Sequence, residues 1–135
     1  MSYDVNQIEG IGITYGERLA ELEIKTTGDL LQKAGTKSGR KQLAEKTGIP
    51  ESLILTWVNH ADLMRIDGVA GQFSELLEAS GVNSVLELAL RNPENLNEKM
   101  YEVNSEFGLT GKVPSVQTLT QIINQAKNLD QMVFH

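Results

Sequence analysis

The chain has 135 residues, no cysteine, 40% hydrophobic content and a net charge of −6. That length and composition suit one compact domain or two small halves sharing a core, and they exclude disulfides and thiolate metal sites. The acidic balance also weighs against a general nucleic-acid binder, whose affinity comes mainly from neutralising phosphate.

The sequence predicts helices throughout, because alternating strand patterns are missing and aromatic residues make up only 5%. Thr14 is placed to cap a helix running to about Leu22. Thr26 and Asp29 have capping-box spacing for a short helix ending near Gly35. Ser38 is placed to cap a helix that stops at Gly48, a glycine suited to the left-handed position after a helix. Pro50 suits a first helical position and opens a helix through about Leu63, with Leu53, Ile54, Trp57, Val58 and Ala61 on one apolar stripe.

The second half repeats this punctuation. A helix from Gln72 to about Ser80 stops at Gly81, and Ser84 with Glu87 forms another capping box. Asn92-Pro93 opens a helix through about Phe107 that ends at Gly108. Gly111 to Pro114 reads as loop, and Ser115 caps a last helix to about Asn128. The tail Met132-Val133-Phe134-His135 is apolar and either docks on the core or frays. The start of the chain has neither the basic nor the apolar region of a signal peptide, and no apolar run reaches the roughly 20 residues of a membrane span. A cytoplasmic protein is expected.

The repetition is of residues as well as of elements. Residues 8–19 return in altered form at 66–77, a constant offset of 58 that persists through Ile24/Val82, Thr26/Ser84, Asp29/Glu87 and Leu30/Leu88. Ile122, Ile123 and Ala126 repeat Trp57, Val58 and Ala61 at an offset of 65, which fits an insertion near Gly111. The expected fold is therefore all-α: two pseudo-symmetric units of about five helices each, residues 1–65 and 66–130, packed as one compact domain with an apolar tail at 131–135.

Gly10-Ile11-Gly12 between two helices has a physical meaning. A chain that reverses within three or four residues needs a residue at positive φ, which glycine tolerates. The second helix then points free backbone N–H groups into the turn, and these can hold a phosphate without reading bases. Residues 8–31 and 66–89 accordingly look like helix-hairpin-helix motifs of the kind found in DNA repair proteins, nucleases and recombination proteins. The chain as a whole resembles a family of uncharacterised bacterial proteins built from two such motifs. The resemblance lies in IEGIG near the start, LAEKTGIPESLILTWVNHADLMRIDGV in the middle and LELALRNPENLNEKMYEVN later. It covers about residues 5–130 and implies fold, not activity.

Two candidate surfaces follow. A nucleic-acid backbone site would use Gly10, Ile11, Gly12, Thr14 and Arg18 of the first hairpin, supported by Lys37, Arg40 and Lys41. Those last three belong to a basic segment with Lys33 and Lys46. Against it, Ile13, Thr14, Tyr15 and Gly71, Gln72, Phe73 stand where DNA-binding hairpins commonly carry Lys or Arg. Glu9, Glu17, Asp67 and Glu75 flank the turns and would repel phosphate. Ala70 replaces a glycine of the second hairpin, and it either resists the turn or passes that role to Gly71.

The second surface is the series Glu94, Glu98, Glu102 and Glu106, spaced one helical turn apart and able to dock a basic partner. Residues 1–65 hold nine acidic and eight basic residues, net −1, whereas residues 66–135 hold nine and four, net −5. His60 beside Asp62 suggests acid/base chemistry only weakly, and Trp57 reads as core rather than as a stacking platform. No metal-ligand spacing, phosphate-cradling loop or activated nucleophile is present, so no cofactor, metal, small-molecule substrate or catalysis is expected. The sequence favours a protein–protein adaptor, with weak sequence-independent DNA or RNA binding as the alternative.

Overall fold

The computed structural model describes residues 2–135, and these form helices and connecting loops, with one isolated antiparallel bridge between Asp4 and Thr26. A 3₁₀ turn at Val5–Gln7 precedes α1 (Ile13–Glu21), α2 (Thr27–Ala34), α3 (Lys37–Thr47) and α4 (Glu51–Leu63). Then come α5 (Gly71–Ala79), α6 (Val85–Ala89), α7 (Pro93–Phe107) and α8 (Val116–Ala126). About five helices in each half were expected. Each half has four α-helices, with the 3₁₀ turn at Val5–Gln7 as a fifth element in the first half.

Local chemistry sets the boundaries. Thr26 Oγ1 accepts from Asp29 N while Asp29 Oδ2 accepts from Thr26 N, closing the predicted capping box. The box at Ser84 is only half made, since Glu87 Oε2 accepts from Asn83 N instead of Ser84 N. Helix α3 is capped by Thr36, not Ser38: the Thr36 hydroxyl accepts from Gly39 N at 3.0 Å. Gly35 caps the end of α2 and Thr36 caps the start of α3, so only these two residues separate the helices. At the start of α1 it is Gly12, not Thr14, that holds the N-cap, with no side-chain bond. Pro50 likewise occupies the N-cap of α4 and not its first helical position.

The backbone bonds of the first hairpin recur 58 residues on. Ile11 N donates to Ile8 O and Val69 N to Ile66 O; Ile24 N donates to Leu19 O and Val82 N to Leu77 O. Positive φ falls at Gly10 (94°) and Gly68 (89°), and again at Glu23 (62°) and Gly81 (93°). Gly12 and Ala70 both lie in the extended region, at φ −87° and −104°. The alanine therefore meets no steric resistance, and the left-handed residue of the turn is two positions earlier.

Two apolar clusters form the interior. The first gathers Ile8, Leu19, Ile24, Leu30, Ile54, Trp57 and Met64; the second gathers Leu63, Ile66, Leu76, Leu77, Leu88, Met100 and Ile122. Leu63 and Met64 are neighbours in sequence but belong to different clusters, so the end of α4 divides the molecule.

The apolar tail docks on the first half. Val133 is buried in the first cluster and Phe134 N donates to Gly35 O. Arg40 completes the attachment. Its guanidinium donates to the carbonyls of Ala34 (3.1 Å), Gly35 (2.9 Å) and Phe134 (2.6 Å).

Candidate functional site

The first hairpin presents an open helix end. The amides of Ile13, Thr14 and Tyr15 precede the first bond of α1, from Gly16 N to Gly12 O, and no side chain caps them. Gly12 and Thr14 are exposed, while Ile11 is buried and serves the core. Arg18 lies 5.8 Å from the centre of the Tyr15 ring, which in turn stands edge-on to Trp57. Trp57 is fully buried, so it forms no stacking platform. At the apex Ile13 is 82% exposed, an apolar tip where a cation would serve a phosphate.

The basic segment does not come together with this end. Arg40 is 5% exposed and engaged with carbonyls, which withdraws it from any phosphate; burial lowers its pKa and Glu51 opposes that. Lys37 and Lys41 are exposed on α3, a helix that packs on α2 and α4. Lys33 Nζ donates to Leu22 O, the carbonyl end of α1. Nine residues at about 1.5 Å each put that end roughly 13 Å from the open amides. A cation is favoured there by the helix dipole, at the opposite pole from the one an anion needs. Between these elements lies a groove of about 310 Å³, with Leu22, Ile24 and Leu43 in its walls and Lys33 and Lys46 among its lining.

A larger cleft, about 590 Å³, opens between the first turn, the second hairpin and the 110–114 loop. Its walls carry one acid, Glu9, and one base, Lys112, beside apolar Phe73 and Leu76. It favours neither a cation nor an anion.

Helix α7 buries Leu96, Met100 and Val103 and turns Glu94, Glu98, Glu102 and Glu106 to solvent. Among the described residues the only counter-charge within reach is Lys99, 3.9 Å from Glu102. Tyr101 stands on this acidic face at 56% exposure, and Phe107 projects from the helix end at 62%.

His60 and Asp62 do not act as a pair. His60 Nε2 lies 2.7 Å from Glu78 Oε2, and its Nδ1 lies 3.4 Å from Ser74 Oγ. Ser74 is fully buried and its hydroxyl donates to Gly71 O at 2.9 Å, so no substrate reaches it. Asp62 accepts from Val85 N at 2.8 Å and faces Arg65 Nε at 3.1 Å. Burial raises the Asp62 pKa, against the Val85 amide and Arg65, which lower it. These groups link α4 to α5 and α6, and they form a polar joint between the two clusters. The sequence reading missed Ser74 and Glu78, whose spacing of one turn is the signal for a shared partner.

Among the described residues no helix is long and apolar enough to cross a membrane, and no His/Cys/Asp/Glu group is able to hold a metal ion. No curated protein and no solved structure matches the chain. One family model matches residues 9–129, and on that match the chain belongs to the family described as Domain of unknown function (DUF4332).

Proposed function

We propose that this protein is a non-catalytic interaction module, a cytoplasmic protein–protein adaptor built on a duplicated helix-hairpin-helix scaffold. The recurrence of turn bonds and positive-φ positions at an offset of 58 residues supports the scaffold reading. The absence of cysteine suits a reducing compartment.

One observation carries the adaptor reading: the outer face of α7. Glu94, Glu98, Glu102 and Glu106 repeat one turn apart, with Tyr101 exposed among them. Like charges at this spacing destabilise a helix, and a basic partner would relieve that repulsion. Exposed tyrosine is a common anchor at protein interfaces.

The second reading is phosphate-backbone binding. It is favoured by the uncapped start of α1 at Gly12, with Thr14 and Arg18 nearby.

Fluorescence anisotropy separates the two. A labelled lysine-rich amphipathic peptide, and labelled single- and double-stranded DNA and RNA, are titrated at about 50 and 200 mM salt. The adaptor reading expects peptide binding that a Glu98→Lys/Glu102→Lys variant abolishes. Nucleic-acid binding that collapses with salt and with Arg18→Glu would establish the second reading instead. Neither ligand binding would sink both.

A further inference from the structure

The acidic face of α7 and the basic groove of the first half complement one another. With about 3.6 residues per turn, Glu98, Tyr101, Glu102 and Ser105 share one outward face. The groove between the end of α1, α2 and α3 offers the opposite pattern. Its lining includes half-buried Leu22 over the buried Ile24 and Leu43, and its cations are Lys46 and Lys33, whose Nζ also donates to Leu22 O. At about 310 Å³ it has room for one aromatic side chain. Among the described residues neither lysine has a carboxylate within 4.0 Å, and Glu98 has no cation within that distance. The first half is nearly neutral at −1, and the excess negative charge lies in the second half at −5.

We infer that the partner of α7 is a second copy of this chain, with Tyr101 of one copy entering the groove of the next and Glu98 and Glu102 meeting Lys33 and Lys46. This inference rests on the reading of α7 as an interaction face. The two surfaces differ, so the contact is head-to-tail and each added copy leaves one groove and one α7 free. Such a contact closes into a ring or continues as a filament. At about 0.15 M salt the Debye length is roughly 8 Å, which screens the mutual repulsion of two acidic molecules while leaving contact pairs effective.

Sedimentation at that salt tests it with two neutralised variants. Lys33→Gln/Lys46→Gln removes the groove's cations, and Glu98→Gln/Tyr101→Ala/Glu102→Gln removes the face. The wild type is expected to exceed monomer mass increasingly with concentration, and each variant to stay monomeric with unchanged circular dichroism. An equimolar mixture of the variants retains one intact groove and one intact α7, and should give a one-to-one dimer that grows no further. A monomeric wild type up to about 0.5 mM, variants that still assemble, or a mixture without dimer would each overturn the inference. The lysine-rich peptide distinguishes the two levels of failure. If the wild type is monomeric but binds the peptide through this face, only the second-copy partner falls. If it does neither, the interaction-face reading falls with it.

Discussion

Glycine weakens a fold by its backbone freedom, so each one is justified only by the φ it adopts or by the neighbour it admits. Gly10 holds φ 94°, and a side chain there would approach Trp57 Nε1 at 3.6 Å. Gly12 holds an ordinary extended φ with open space around it, and Ala70 already occupies the matching position. Gly10→Ala should therefore destabilise the protein by about 1–2 kcal/mol, and Gly12→Ala by no more than about 0.5 kcal/mol, in urea denaturation. Equal effects would contradict the assignment of the turn. Glu23 presents the reverse case, since it adopts φ 62° where the second half has Gly81. Glu23→Gly is expected to stabilise by roughly 0.5–1 kcal/mol and to raise the melting temperature by a few degrees. A fall in melting temperature would refute that. The need for a left-handed residue was legible in Gly-Ile-Gly. Which glycine supplies it was not, because φ depends on how the whole turn closes.

At the scale of the element, helices were legible wherever a cap or a terminal glycine announced them. Thr26 with Asp29, Asn92 before Pro93, and the left-handed stops at Gly48 and Gly108 all stand where local chemistry puts them. The start of α3 was not legible, because Thr36 and Ser38 are equivalent as residue types and only the short α2–α3 connection decides between them. Arg40 was less legible still. In the sequence it is one cation among four lysines, while its Phe134 acceptor lies 94 residues away. Arg40→Met should remove the three guanidinium bonds to the Ala34, Gly35 and Phe134 carbonyls and cost roughly 2–3 kcal/mol in urea denaturation. Removing residues 132–135 should destabilise similarly. The double change should cost less than the sum, since both remove the same attachment. Additive effects would show that Arg40 acts independently of the tail.

At the scale of the whole molecule, the two clusters meet at the joint of His60, Asp62, Ser74 and Glu78. Burial raises the Asp62 pKa above the ordinary 3.8, so as pH rises past that value the unfolded chain releases its proton first. The folded state then holds more protons, and the stability this group contributes in acid is lost as pH climbs through the raised value. Asp62→Asn keeps an acceptor for Val85 N and has nothing to titrate. Its stability relative to wild type should therefore improve as pH rises above the ordinary carboxylate value and level off once the folded carboxyl has ionised, and a flat difference would refute the assignment. Trp57, the only tryptophan, reports on the first cluster alone, whereas circular dichroism reports on both. Their thermal transitions should coincide, and separated transitions would mean that the joint does not couple the halves. The all-helical fold was visible in the sequence; this joint was not, because it draws on residues distant in sequence that carry no common motif. Leu63 and Met64 carry a practical consequence. Since adjacent side chains enter different interiors, no cut near that point gives two clean fragments, and a gene encoding either half alone would express a polypeptide with an open apolar wound.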